Sequence, residues 1–326
     1  MVRVALLGCG RIGRVHATAV AGHPRAELAW VYDPFEAAAK EVGALFGTQA
    51  STDVAAVLAD ESVDAVVVAS PTPTHIDLMT AAVRAGKAVL CEKPIDLDIA
   101  RVDACWTEIG PLAPTVMLGF NRRFDPSFRE IRERVAAGDI GALEQVVIIS
   151  RDPAPPPPGY VGTSGGLFRD MTIHDFDMAR FVLGAQGGGE VVEVSAMGSN
   201  LISDEIAEVG DIDGAVVTLR SATGALAQIT NSRRCSFGYD QRLEAFGATG
   251  MLTAQNQLPT SVRFAGAERS ESAAPYLNFF LERYTAAYAA ELDHFVTAVE
   301  SGSAPSPSFA DGRAALILAD AAGESL

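Results

Sequence analysis

LLGCGRIGRVHA, residues 6–17, is the stretch on which the fold turns. Gly8, Gly10 and Gly13 form a G-x-G-x-x-G that follows an apolar, β-branched run and opens an amphipathic one. In such a strand–turn–helix the first glycine makes the tight turn and the second lets a pyrophosphate approach the backbone. The third lets helix and strand pack closely. The helix start adds amide donors and a favourable dipole for the phosphates. Asp33 lies twenty residues past Gly13, at the end of the next apolar run, where an acid would bond the ribose hydroxyls. Structural turn glycines are the bland reading of the same triplet. The strand–helix context and Asp33 favour a dinucleotide instead. Pro34 and Phe35 follow Asp33, so no Arg stands ready for a 2′-phosphate, and NAD is expected over NADP.

Outward from this motif the same alternation continues. RVALLG (3–8), ELAWVYD (27–33), DAVVVAS (64–70), AVLCE (88–92) and TVMLGF (115–120) read as buried strands. The segments RIGRVHATAVAG, PFEAAAKEVGALFG, TPTHIDLMTAAVRAG and LDIARVDACWTEIG between them are helical in pattern. Near-continuous apolar strands alternating with helices predict a doubly wound parallel sheet, a Rossmann domain over residues 1–121. After Asn121 the pattern changes. FDPSFREIRERVAAGDIG reads as a helix ended by Gly138, LEQVVIISRD as a strand, and PAPPPPGY as a stiff surface loop. From Glu190 to Ala254 strand-like runs follow one another, with Ala222-Thr223-Gly224 as a hairpin turn. Two helices, near 278–301 and 309–324, close the chain. Residues 122–326 are expected to form a second α/β domain with a mostly antiparallel open sheet.

The chain has 326 residues, 48% hydrophobic and 20% charged, a globular composition of two-domain length. Its 25 Lys and Arg against 41 Asp and Glu give a net charge of −16. That argues against nucleic acid or an anionic membrane as partner, since both require a basic surface. Cys9, Cys91, Cys105 and Cys235 show no C-x-x-C spacing, so neither a zinc site nor a disulfide framework follows. No leader pattern or apolar run of membrane-spanning length is present, and a cytoplasmic enzyme is the expectation.

Two further clusters carry chemistry. Glu92, Lys93 and Pro94 follow the fifth strand, at the carboxyl edge of the sheet where ligands bind. GGLFRDMTIHDFDMARFV (165–182) has the apolar spacing of a packed helix yet places Asp170, His174 and Asp177 at i, i+4 and i+7. A solvated face would explain such a stripe, but so would a bound polar ligand. His16, His23 and His294 have no acidic neighbours at ligand spacing and read as core or surface histidines. No metal is expected.

Rossmann turn, E-K-P and D-x-x-x-H appear in that order, and the chain thereby resembles the glucose–fructose oxidoreductase and inositol dehydrogenase family along essentially its whole length. SPTPTH (70–75), CEKPIDLD, GFNRRFDPSF (119–128), SRDP (150–153) and NSRRCSFGYDQR (231–242) look most like its inositol 2-dehydrogenase branch. Relatives usually run several residues past the terminal AAGESL. The resemblance implies Lys93, Asp170 and His174 as the catalytic residues. It implies Gly8, Gly10, Arg11, Ile12, Gly13, Asp33, Ser70, Thr72, His75, Glu92, Lys93 and Asn121 as cofactor contacts. Arg123, Asp152, Tyr239 and Asp175, with the catalytic three, would face the substrate or support the site. The implied activity is NAD-dependent oxidation of myo-inositol at C2 to the ketone. Action on scyllo-inositol or a pyranose sugar, or a non-catalytic NAD-binding regulator, would use the same scaffold. A homotetramer built sheet against sheet is the implied assembly.

Overall fold

The computed structural model of the chain describes residues 1–157 and 159–326. It divides into two compact units, Met1–Phe124 with Ala286–Leu316, and Asp125–Thr285 with Ile317–Leu326. A single cut at residue 121 therefore misses that the chain returns. The helix that follows Tyr284 buries Leu292, Phe295 and Val296 completely within the first unit. Its Asp293 and Glu300 bind Arg25. Nothing local in residues 286–316 marks that return, because an amphipathic helix does not encode which core it will join.

The first unit holds β1 (Val2–Leu7), β2 (Ala26–Tyr32), β3 (Gln49–Ser51), β4 (Ala65–Val68), β5 (Ala88–Glu92) and β6 (Val116–Gly119). All pair in parallel, in the order β3-β2-β1-β4-β5-β6. The order reverses between β1 and β4, which defines the crevice at the strands' carboxyl ends where such sheets take ligands. β4 and β6 are buried along their whole length, as strands covered on both faces should be. The connecting helices are α1 (Arg11–Gly22), α2 (Glu36–Phe46), α3 (Val54–Ala59), α4 (His75–Arg84) and α5 (Ile99–Ile109). The doubly wound parallel sheet is as the sequence predicts; β3 and α3 were not foreseen. Both are too short for periodicity to declare them, and α3 is held at its start by Asp53, which accepts from the Ala55 and Ala56 amides.

In the second unit β7 (Leu143–Arg151), β8 (Val191–Ser199), β9 (Gly214–Ser221), β10 (Leu226–Ser232), β11 (Asp240–Gly247) and β12 (Gly250–Ala254) form a sheet ordered β12-β11-β7-β10-β9-β8. Every pair is antiparallel except the central β7–β10 pair. The β9–β10 hairpin turns at the expected residues, with Gly224 at a φ of +91° that favours glycine. Helices α6 (Pro126–Ala137), α7 (Val161–Ser164), α8 (Ile173–Leu183), α9 (Asp204–Glu208), α10 (Phe280–Arg283), α11 (Thr285–Ser301) and α12 (Phe309–Ser325) complete the chain. α6 starts on an Asp125 cap and stops at Gly138, whose φ of +84° ends the helix as expected.

Sheet alternation places the core. Along β9, Ala215, Val217 and Leu219 are buried, while Val216, Thr218 and Arg220 face outward. The inward set packs with Ile148, Ile229 and Ala245 against Phe128 and Ile131 of α6 and Phe176, Met178 and Val182 of α8. The Pro-rich loop at 153–160 includes Pro158, which lies outside the described residues. Among the described residues no helix is long and apolar enough to cross a membrane.

Candidate active site

The glycine turn is built as its spacing requires. Gly8 has a φ of +109°, and a Cβ there would lie 2.6 Å from the Ala69 carbonyl oxygen. A Cβ on Gly13 would lie 2.0 Å from the Gly8 oxygen, so only glycine lets α1 meet the turn. Gly10 is exposed, and a Cβ there would meet nothing within 4 Å. That open surface is the approach a pyrophosphate needs. Arg11 and Ile12 begin α1, whose first turn has no side-chain cap. Asp33 is fixed beside the turn: its Oδ2 accepts from the Cys9 amide and its Oδ1 from the Phe35 amide, each at 2.9 Å. Asn121 is 2% exposed and its Nδ2 has no partner among the described residues. An open glycine, an uncapped helix start, a fixed acid and an orphaned buried amide fit a dinucleotide.

Cys9 sits inside this turn but is chemically quiet. Burial and the neighbouring Asp33 charge push its thiol up to about 11, so it stays protonated at neutral pH. All four cysteines are free and buried.

The other side of the crevice holds Ser70, Thr72, His75, Glu92 and Lys93. His75 is 1% exposed, and its two ring nitrogens lie 2.7 Å from the Pro94 oxygen and 2.8 Å from the Ser70 oxygen. Burial lowers its pKa, against the pull of both carbonyls. This ring ties the loop after β4 to the loop after β5. Glu92 also turns inward: its Oε1 lies 2.8 Å from His16 Nε2, and its Oε2 accepts from the Lys93 amide at 3.3 Å. His16 is thus a core histidine with an acidic partner supplied by β5, and His23 finds one in Asp293. Sequence spacing could not show either pairing. Thr72 opens a short 3₁₀ turn, and the Ser70 and Thr74 hydroxyls lie 2.6 Å apart. Arg123 is buried within the same unit, 3.1 Å from Asp311 and 3.4 Å from the Ser306 hydroxyl. Burial works against the Asp311 charge, but Arg123 and Ser308 more than offset it and bring that carboxyl to about 2.

Glu291 of α11 is fully buried with both carboxyl oxygens unpartnered among the described residues. Burial, reinforced by the Glu92 charge, raises its pKa well above the usual carboxylate range. A raised folded pKa contributes stability below the ordinary carboxylate pKa, and that contribution is lost as pH rises toward the folded value. Glu291→Met removes the titrating group at similar volume. It should raise the melting temperature more at about pH 8 than at about pH 5, by a few degrees for each kcal/mol gained. Equal shifts at both pH values, read by scanning calorimetry, would refute a neutral buried Glu291.

In the second unit the helix quoted above is not continuous. Residues Phe168–Thr172 form a π turn that passes into α8 at Ile173. The wider turn displaces Asp170 from the regular stripe expected with Asp177. Asp170 and His174 stay partly exposed, whereas Asp175 and Asp177 are buried. Such single π turns recur at functional sites. Both Asp170 oxygens are engaged: the Tyr160 hydroxyl donates to Oδ1 at 2.9 Å and Arg233 Nη1 to Oδ2 at 3.0 Å. The same Nη1 lies 3.7 Å from Asp152 Oδ2. Asp175 is a supporting residue: Asn231 Nδ2 donates to its Oδ2 at 2.7 Å, and Thr172 donates to Asn231 Oδ1 at 2.7 Å. That network locks α8 to β10. Tyr239 is 4% exposed, with its ring edge-on to Phe279 and Tyr284. Among the described residues no group of three or more His, Cys, Asp or Glu side chains could hold a metal ion.

Arg233 and Tyr160 were not singled out from the sequence. Each lies in a stretch that was, yet nothing local signals a partner 63 residues away for Arg233.

These features describe an NAD-binding oxidoreductase. The description "oxidoreductase family, NAD-binding Rossmann fold" matches residues 2–120, and "GFO/IDH/MocA C-terminal domain" matches residues 128–253. The chain belongs to the GFO/IDH/MocA oxidoreductase family. It is 49% identical to an inositol 2-dehydrogenase of Rhizobium meliloti over 100% of this chain and 97% of that one. It is 44% identical to a myo-inositol 2-dehydrogenase of Thermotoga maritima, covering 100% and 96%. A crystal structure of a myo-inositol dehydrogenase from Corynebacterium glutamicum superposes with a TM-score of 0.96 at 54% identity, covering 100% and 96%.

The coenzyme preference is directly testable. An Asp33 carboxylate fixed beside the glycine turn should accept from the ribose hydroxyls and repel a 2′-phosphate. Asp33→Ser should shift the NAD/NADP ratio of kcat/KM toward NADP by roughly 10–100-fold, the range for charge-assisted hydrogen bonds. Equal efficiency with both coenzymes in the native chain would place Asp33 away from the ribose.

Proposed function

We propose that this chain oxidises a cyclic polyol, myo-inositol, at its C2 carbinol to the ketone. The observation that carries this reading is Asp170, set on a π turn and held by Arg233 and Tyr160, four residues ahead of His174 on α8. The relatives at 44–49% identity, both inositol 2-dehydrogenases by name, support the same substrate. NAD supplies the two-electron acceptor for the carbinol hydrogen.

The remaining chemistry belongs to the chain. His174 takes the hydroxyl proton as the carbonyl forms, a task suited to imidazole because its ordinary pKa lies near working pH. Asp170 orients that imidazole and stabilises it once protonated. Lys93 donates to the substrate oxygen and stabilises the alkoxide character that develops there. Gly8, Gly10, Gly13, Arg11, Ile12 and Asp33 hold the pyrophosphate and ribose side of the cofactor, and Ser70, Thr72 and Asn121 the nicotinamide side. His75 and Glu92 act from behind, bracing the loops that carry those contacts. Asp152, with Arg123 and Tyr239, recognises or frames the polyol's other hydroxyls. The test is reduction of NAD followed by absorbance with a panel of inositol stereoisomers and aldoses. The highest kcat/KM should fall on myo-inositol. A higher value for scyllo-inositol or glucose would reassign the substrate, and no turnover with any polyol would end the reading.

The assembly proposed is a homotetramer joined through the open face of the second unit's sheet. That face exposes Val192, Met197, Val216, Leu226, Phe246 and Met251, more apolar surface than a solvated sheet face needs. Light scattering should give four times the chain mass at micromolar concentration; a monomer would exclude the assembly. A cytoplasmic location accords with four free thiols and no disulfide among the described residues.

A further inference from the structure

Arg233 is 2% exposed at the end of β10 and is held there before any ligand arrives. Its amide donates to the Asp213 oxygen at 2.8 Å, and Asp213 in turn accepts from the amides of Leu201, Ile202 and Ser203. The adjoining Ser232 hydroxyl accepts from the Arg234 amide and so tightens the same turn. One guanidinium nitrogen serves two carboxylates, Asp170 at 3.0 Å and Asp152 at 3.7 Å. Nε and Nη2 of Arg233 are buried without partners among the described residues.

A buried cation with donors left unsatisfied is a poor device for stability, since desolvation costs more than a half-used fork returns. A structural ion pair would be saturated. This one turns a single nitrogen toward two carboxylates, closer to Asp170 than to Asp152, and a second donor reaches Asp170 from another segment. Tyr160 hydroxyl donates to Asp170 Oδ1, while its own carbonyl accepts from the amides of Thr163 and Ser164 at 3.0 Å. Phenol and guanidinium thus grip opposite oxygens of Asp170, which fixes its rotamer. The π turn that carries Asp170 lacks the regular helical bonding that would otherwise fix it.

We infer that Arg233 and Tyr160 are positioning residues that hold Asp170 in its working orientation, so that the imidazole of His174 is aligned through it. The inference rests on the assignment of Asp170 to catalysis. It predicts that loss of either grip slows the chemical step while leaving the cofactor, held elsewhere, alone.

The test is steady-state kinetics with NAD and myo-inositol, protonated or deuterated at C2. Tyr160→Phe, on a residue that is half exposed, should fold normally. Its kcat should drop about 10-fold, the KM for NAD should stay within about two-fold, and the isotope effect on kcat should rise as chemistry becomes limiting. Arg233→Gln should drop kcat on the order of 100-fold, with Arg233→Lys partly restoring it, because charge returns without the planar fork. In an Asp170→Asn background Tyr160→Phe should cost nothing further. A folded Tyr160→Phe enzyme with native kcat and isotope effect, beside a slow Asp170→Asn enzyme, would overturn the inference and leave the catalytic assignment standing. So would an undiminished 10-fold loss from Tyr160→Phe on top of Asp170→Asn. A native rate in Asp170→Asn alone would overturn the assignment itself, and the inference with it.

Discussion

His174→Ala is expected to lose on the order of 10²–10⁴ in kcat, the range for positioned proton transfer. NAD affinity, titrated by fluorescence, should hardly change, because the dinucleotide contacts lie in the other compact unit. Asp170→Asn should also slow turnover, since an amide cannot stabilise a protonated imidazole and can favour the wrong tautomer. Residues that act as one unit are non-additive, so the double variant should be little slower than the slower single one. A merely structural role would appear otherwise, as a lower melting temperature with native turnover per folded molecule. Near-native inositol oxidation by a His174→Ala protein that binds NAD normally would remove His174 from the mechanism.

Lys93→Met should cost on the order of 10²–10³ in kcat, the usual loss when one donor to a developing oxyanion is removed. Methionine keeps much of the stem's volume, so the loop after β5 should survive. That loop has supports besides the ammonium group: the Lys93 amide donates to Glu92, and the Pro94 oxygen meets His75. The loss should therefore fall on kcat rather than on the melting temperature. If Lys93→Met left kcat intact and raised only the KM for inositol, Lys93 would be a binding residue and not a stabiliser of the transition state.

The two variants probe different kinds of legibility. Lys93 could be placed from the sequence because a parallel strand must end at the carboxyl edge of its sheet, and AVLCE is unmistakably such a strand. Asp170 and His174 could be set four residues apart on one stripe by spacing, but the spacing implied a regular helix. The π turn is not legible there because one inserted residue leaves the apolar pattern of Leu167, Met171, Met178 and Phe181 nearly intact. Glu92 and His75 were expected at the cofactor and are found turned inward, on His16 and on two carbonyl oxygens. A motif shows that a residue is needed at an edge, not which way its side chain points.

What the sequence by itself determined was the local chemistry. The glycine turn, the acid twenty residues on, the E-K-P edge, the Gly138 helix stop and the β9–β10 hairpin each follow from backbone sterics or period within a short window. Such features are decided by neighbours along the chain, so they can be read there. The tertiary structure alone decided which distant groups meet. It brought α11 into the first unit and Arg233 and Tyr160 onto Asp170. It locked Asp175 to Asn231, and buried Glu291 without a hydrogen-bond partner among the described residues. These outcomes depend on how helices and strands pack once formed. Packing is selected by complementary shape and burial over the whole core, and no window of sequence contains that information.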